Sequence, residues 1–231
     1  MRLLAFDTSG PSLSAAVVEG EDLRAWRREE LARGHAERLL PLLREVMAEA
    51  GWSWRELELL AVTVGPGNFT GLRAGISVAR ALGLALGCPA LGPGTLEAIA
   101  QGAAALAPGN ARPIVAVADA RREEVYAQRF SSRLDPLGPP VLVPRDQFLA
   151  GSPREPCLLA GDAAGWARDR RGVAGDGAVE AGPDARYVAA AARRRLAGGE
   201  APGAATALRP VYVRPPDARA SAGASLVTAV S

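Results

Sequence analysis

Short apolar runs alternate with stretches of helical spacing along this chain. Residues 3–6 form an apolar run that ends in Asp7-Thr8-Ser9-Gly10, residues 13–18 resume it, and after Glu19-Gly20-Glu21-Asp22 a third run covers 23–26. Such runs bounded by turn residues predict an opening meander of three strands, with Asp7 at the tip of its first hairpin. From His35 to Ala50 the period changes: Leu39, Leu42, Leu43, Val46, Met47 and Ala50 share one broad helical face. Pro41 then sits in the first turns, where a missing N–H costs least, and Gly51 ends the helix. Residues 59–64 read as a strand, 68–86 as a helix, 88–91 as a short strand, and 96–106 as a helix capped by Thr95.

The pattern then begins again. Pro108-Gly109-Asn110 is the best boundary between halves; residues 114–118 form a strand ending in Asp119-Ala120-Arg121-Arg122, and 124–130 a strand leading back. Strand, aspartate, turn, strand thus occurs at Asp7 and at Asp119, which predicts a duplicated architecture with facing aspartates. The halves are expected at 1–108 and 109–214. The second is less regular: a loop at 136–140, strands at 141–143 and 158–160 with a turn at Gly161-Asp162-Ala163, a glycine-rich surface excursion at 168–182, and a helix at 184–196. Residues 215–231 are small and polar, and a mobile tail is expected there.

The stretch Gly65-Pro66-Gly67-Asn68-Phe69-Thr70-Gly71-Leu72-Arg73-Ala74-Gly75 organises the first half. It is a strand-to-helix turn in which glycines permit positive φ and either Asn68 or Thr70 caps the helix. The free amides of such an end attract anions, although a well-capped turn needs no ligand. Gly71, Gly75, Ala79 and Gly83 recur every four residues. Each interior glycine costs a helix about 1 kcal/mol relative to alanine, so close approach of another backbone is expected, either the protein's own sheet or a second chain. Asp7 is likewise open to two readings, an Asx-turn residue or a group that reaches a ligand. His35, near its helix start, is a satisfied polar residue or faces a ligand or partner.

Composition narrows the chemistry. The 231 residues suffice for one large or two small domains, and 48% hydrophobic with 23% charged residues is ordinary for a globular chain. A net charge of +2 is too balanced for a dedicated nucleic-acid binder. All 27 basic residues are arginine, which rules out a Schiff-base or P-loop lysine. His35 is the only histidine, so no two-histidine metal site forms within one chain. Cys88 and Cys157 follow no metal or redox spacing and read as buried hydrophobes. No GxSxG or serine–histidine–aspartate order points to hydrolysis. Neither a signal peptide nor a membrane span is expected, and the expected location is cytoplasmic.

Several segments resemble the bacterial TsaB (YeaZ-like) proteins: Asp7-Thr8-Ser9, His35-Ala36-Glu37-Arg38-Leu39-Leu40-Pro41, Gly65-Pro66-Gly67-Asn68-Phe69-Thr70-Gly71-Leu72-Arg73, Thr95-Leu96-Glu97-Ala98, Asp119-Ala120-Arg121-Arg122-Glu123-Glu124-Val125-Tyr126, and Arg209-Pro210-Val211-Tyr212-Val213-Arg214. They occur in the family's order over residues 1–214. The resemblance implies an α/β, actin-like ATPase (ASKHA) fold of two ribonuclease-H-like halves with mixed sheets. It implies a role in making threonylcarbamoyladenosine on tRNA as a non-catalytic subunit. Its implied partners are a TsaD-type catalytic subunit and a TsaE-type ATPase, with a homodimer when alone and tRNA met only through the complex.

By the same resemblance, Thr95 and Ile99 stand where the catalytic relative places its metal-binding histidines, and neither side chain replaces imidazole as a ligand. No cofactor is required. A weak ATP or ADP site with magnesium would use Asp7, Thr8, Gly65, Gly67, Asn68, Thr70, Asp119 and Gly161. The partner interface implied for the first two helices comprises His35, Leu39, Leu43, Val46, Leu72, Gly75, Ile76, Ala79 and Arg80. The alternative reading is a nucleotide-binding enzyme with weak ATPase activity in the cleft.

Overall fold

The computed structural model describes residues 1–31, 34–152 and 154–214, so the tail expected at 215–231 lies outside the described residues. The first half opens with β1 (Arg2–Asp7), β2 (Ser12–Glu19) and β3 (Asp22–Glu30), an antiparallel meander, followed by α1 (His35–Glu49). Then come β4 (Leu59–Val62), α2 (Phe69–Leu86), β5 (Pro89–Leu91) and α3 (Thr95–Leu106). The second half contains β6 (Ile114–Asp119), β7 (Glu124–Phe130), β8 (Val141–Pro144), α4 (Arg145–Gly151), β9 (Leu158–Ala160), α5 (Ala164–Arg171) and β10 (Gly177–Val179). The chain ends its regular structure with α6 (Ala185–Ala197) and β11 (Gly203–Ala204).

Two mixed sheets result. The first runs β11-β5-β4-β1-β2-β3 and the second β10-β9-β6-β7-β8. Setting β11 aside, they share one topology: an antiparallel meander of three strands, with two parallel strands added beside its first member. Parallel additions require helical crossovers, which α1, α2, α4 and α5 supply.

Alternation along the strands decides which helix covers which face. Leu4, Phe6, Leu13, Ala15, Leu60 and Val62 point to the outer face of the first sheet, where α1 buries Leu39, Leu42, Leu43, Val46 and Met47 and α2 buries Ala79 against them. A fully buried leucine or phenylalanine contributes about 1.5–3 kcal/mol, so this layer is a principal source of stability. Leu3, Ala5, Ala16, Val18, Leu59 and Ala61 face the opposite way and are covered by Ala185, Val188, Ala189 and Ala192 of α6. In the second sheet, Ile114, Ala116, Phe130 and Leu158 meet Leu96, Ile99, Ala100 and Ala103 of α3, while Val115, Val117, Val125 and Leu159 face α4 and α5.

All strands but β11 divide at the expected boundary, and two helices cross it. α3, from the first half of the sequence, packs on the second sheet, and α6, with β11, returns to the first. The two helices also pack against each other. A side chain at Gly102 would strike the ring of Tyr187, and Arg195 of α6 pairs with Glu97 of α3 at 2.6 Å. The expected second half, 109–214, is therefore corrected: it contains elements belonging to the first.

Other expectations change as well. The excursion expected at 168–182 holds the end of α5 and all of β10, because Arg171, taken for a solvated residue, is buried and ion-paired with Asp176 at 2.8 Å. Thr95 is the first helical residue rather than the cap. Gly94 holds the cap position, and its N–H donates to Glu97 Oε2. Among the described residues, α2 is the one helix long and apolar enough to cross a membrane by length and composition, and its glycine face is buried on the first sheet.

Candidate functional site

The Asp7 turn and the start of α2 form one packed unit. Asn68 caps α2, its Oδ1 accepting from the N–H groups of Thr70 (3.1 Å) and Gly71 (3.2 Å). The amides that would meet an anion are thus already engaged by the protein itself. The Asn68 N–H donates to Ser9 O at 2.8 Å, and the Thr8 hydroxyl donates to Gly71 O at 2.7 Å. Side chains at Gly67, Gly71 and Gly75 would collide with Ser9 O, Thr8 O and Thr8 Oγ1. Gly83 is closed in the same way by Ala205. The stripe of small residues therefore serves close approach within this chain.

Asp7 does not reach solvent. It is completely buried, with Oδ1 accepting from the Ser9 N–H (3.2 Å), the Ser9 hydroxyl (2.6 Å) and the Thr63 hydroxyl. Its Oδ2 is buried without a hydrogen-bond partner. Burial pushes the Asp7 carboxyl above its ordinary range, the hydrogen bonds from Ser9 and Thr63 oppose this, and the charge of Asp184 adds to the rise. Asp184 is itself fully buried, capping α6 by accepting from the Arg186 N–H at 2.9 Å and receiving the Trp26 indole N–H at 3.1 Å. Ser14 Oγ accepts from the Ala185 N–H. Ser12 Oγ and Thr95 Oγ1 are also buried and unpartnered. A cluster of buried polar groups thus lies at the end of the first sheet and the starts of α3 and α6.

The second turn is built differently. The Asp119 N–H donates to Asp162 Oδ1 at 2.8 Å, while Asp119 Oδ1 accepts from the Arg121 N–H (3.1 Å) and from Arg145 (3.3 Å). Gly161 has φ +127°, a conformation side chains rarely adopt, and any Cβ there would strike Val117 O. Partial desolvation by its neighbours raises the Asp162 carboxyl above its ordinary range although the residue is exposed, and the Asp119 N–H partly opposes this. The closing segment links both turns: Val211 N–H donates to Val64 O at 2.7 Å, Arg80 donates to Leu208 O, and Arg214 reaches Ala120 O at 2.8 Å and Glu124. A side chain at Gly65 would lie 2.6 Å from Val211 O.

Asp7, Thr8, Gly65, Gly67, Asn68 and Thr70 are therefore brought together at one turn, and Asp119 and Gly161 at the other. Sequence reasoning missed Thr63, Ser14 and Asp184 as members of the site. Asp184 had a signal, a proline–aspartate pair before an apolar helix, which marks an N-cap.

Of the interface residues expected on the first two helices, all but Arg80 are buried within this chain. Leu39, Leu43, Val46 and Ala79 are wholly buried, Leu72 and Ile76 nearly so, and Gly75 is pressed on Thr8. The physical reason is that the apolar stripe that marks an interface also marks a core face, and the first sheet takes it. His35 is buried with Nε2 unpartnered, and Arg80 is half-buried. The exposed faces carry Leu40 and Arg44 on α1, and Phe69, Arg73, Ser77 and Leu84 on α2, with Leu84 at 76% exposure. Arg73 lies 4.0 Å over the Phe69 ring and donates to Tyr212 Oη at 2.9 Å.

A family model described as TsaD, tRNA N6-adenosine threonylcarbamoyltransferase, matches residues 29–151. A Mycobacterium tuberculosis protein is 36% identical over 166 residues, covering 68% of this chain and 75% of its own length. The tRNA threonylcarbamoyladenosine biosynthesis protein TsaB of Escherichia coli K12 is 37% identical over 126 residues, 54% of this chain and 53% of that protein. YeaZ from Pseudomonas aeruginosa superposes with a TM-score of 0.79 at 30% identity, covering 91% of this chain and 99% of that one. The duplicated ribonuclease-H-like halves and their paired turns define an actin-like ATPase (ASKHA) fold. Within it, this chain belongs to the TsaB (YeaZ-like) family.

Proposed function

We propose that this chain acts in the cytoplasm in forming threonylcarbamoyladenosine on tRNA, as a non-catalytic subunit that binds and activates a TsaD-type transferase. Threonylcarbamoyladenosine biosynthesis appears in the name of the E. coli relative, and the matching family model carries the transferase's description. The observation that carries the non-catalytic reading is the engagement of the would-be nucleotide turn by its own neighbours. Asp7 is sealed under Ser9 and Thr63, and the α2 amides are taken by Asn68. Activation then works by association: a subunit that binds one conformation of its partner better shifts the partner's population toward it. The surface we assign to this contact is the outer face of α1 and α2, centred on Leu40, Arg44, Arg73 and Leu84, with a homodimer using the same face when the partner is absent. A TsaE-type ATPase joins the assembly, and tRNA is met only through it.

The test is light scattering after mixing the chain with the TsaD-type protein of its own organism. The expected result is a one-to-one complex that replaces any homodimer and is lost in a Leu40→Glu, Leu84→Glu variant that melts like the parent. Separate elution of the two proteins, even with nucleotide and the ATPase subunit present, would overturn the reading. A second reading, a weak ATPase with magnesium in the cleft, draws on the unpartnered Asp7 Oδ2 and on the acidic pair Asp119–Asp162. Titration with magnesium ATP separates it from the first: submicromolar affinity supports it, and heat-silent mixing removes it.

A further inference from the structure

The outer face of the second sheet carries a cavity of about 340 Å³, walled chiefly by apolar side chains, among them Val115, Ala127, Val141, Val143 and Phe148. It exists because helical cover is short there. α4 and α5 have 7 and 8 residues, whereas α1 and α2 on the first sheet have 15 and 18. This volume falls in the range of small-molecule sites, which are mostly apolar with a few placed polar groups. Ser152 and Arg171 line this cavity and also a second, polar one of about 120 Å³, into which Arg154 and Arg170 open. Among the described residues, no carboxylate lines either space. Arg129 is ion-paired with Glu155 and Arg171 with Asp176, so those charges are spoken for. Arg154 and Arg170 have no ion pair among the described residues, and both are exposed.

We infer that the two cavities, which share Ser152 and Arg171 in their walls, act as one binding site for a small amphipathic anion, its apolar body in the larger space and a phosphate-type head on Arg154 and Arg170. The inference is independent of the reading of the cleft and of α1 and α2. Two guanidiniums without acidic partners favour a head group of high charge density, because each presents a fork of donors matched to phosphate oxygens. The apolar walls select against free inorganic phosphate, and the absence of lining carboxylates selects against cations.

Calorimetric titration of the full chain with octyl phosphate, below its micelle concentration, tests this, with octanol and inorganic phosphate as controls. One molecule of octyl phosphate is expected to bind, at least about tenfold more tightly than either control. Amide shifts in a heteronuclear NMR spectrum should fall on Val141, Val143, Phe148 and Ser152. Arg154→Gln with Arg170→Gln should erase the preference for octyl phosphate over octanol. Val141→Trp, at a half-exposed wall position, should weaken both octyl compounds and leave the melting temperature unchanged. Equal affinity for octanol and octyl phosphate, retention of the preference in the double arginine variant, shifts elsewhere in the molecule, or absence of binding by the parent chain would each overturn the proposal.

Discussion

The two halves share a topology and differ in how each treats its aspartate turn and its outer face. In the first, Asp7 is completely buried, and glycines of an 18-residue helix lie directly on its turn. In the second, Asp119 keeps its side chain 27% exposed, and Arg121, Arg122 and Glu123 follow it in three successive left-handed conformations. Each such residue costs about 1–2 kcal/mol, a strain absent from the first turn, where none of residues 7–12 has a positive φ. The outer faces differ in the same sense. Long helices seal the first sheet and expose their own far sides, whereas short helices leave the second sheet incompletely covered. Duplication of a topology thus does not duplicate the surface that each half presents. The length of the crossover helices decides whether a half offers an outer helical surface or a cavity.

The strongest way to break this comparison is Gly75→Leu. If the small-residue face packs on Thr8, the substitution should cost at least about 4 kcal/mol and leave little folded protein, read by circular dichroism and yield. A folded variant that had merely lost partner binding would return the stripe to an intermolecular role.

Next in size is Arg171→Ala, which leaves the Asp176 carboxylate buried without its partner and should cost about 3–5 kcal/mol. Trp166 reports the second half, and the other tryptophans, Trp26, Trp52 and Trp54, lie in the first. Urea unfolding followed through Trp166 should therefore shift more than unfolding followed at the others. Burial alone would raise the Asp176 carboxyl, but Arg171 and the Cys157 N–H more than offset it and hold it below its ordinary range. The stability it contributes is present above the ordinary carboxylate pKa and is lost as pH falls through the depressed folded value.

Asp7→Asn is smaller and opposite in sign. A carboxyl raised by burial favours the folded state in its protonated form, so its contribution is greatest below the ordinary carboxylate pKa and is lost as pH rises through the raised folded value. The amide cannot ionise, so the variant should be more stable than the parent at neutral pH and show a flatter dependence of melting temperature above the ordinary carboxylate range. A destabilised variant with an unchanged pH profile would mean that Asp7 is ionised in the fold. The smallest effect on stability is expected for Leu84→Glu, within about 0.5 kcal/mol, because its side chain projects into solvent. The same change should reduce association in the light-scattering experiment.

Much of this was legible along the chain. Period-two and unbroken apolar runs marked β1, β2, β4, β6, β7 and β9, and the Gly65–Gly71 spacing marked the turn into α2, because those signals are local. The repeated strand–aspartate–turn pattern announced the duplicated sheets. What stayed hidden needed partners remote in sequence. β10 is three residues long and is held by pairing with β9, and Arg171 becomes a core residue only because Asp176 faces it.

The sequence by itself determined the elements of the first half, the paired strands after each aspartate turn and the stripe of glycines, since each follows from backbone conformational limits and from the burial of apolar faces; α4, α5, β10 and β11 it did not mark. Only the tertiary structure decided who occupies those faces. An apolar helix stripe and a glycine row require close contact without naming the contact. The first sheet and the Thr8 turn provide it, and this turned the expected interface residues inward. The same holds for α3 and α6: their alanine-rich faces fit either sheet, and the chain's return path past Asp184 places each helix on the sheet of the other half.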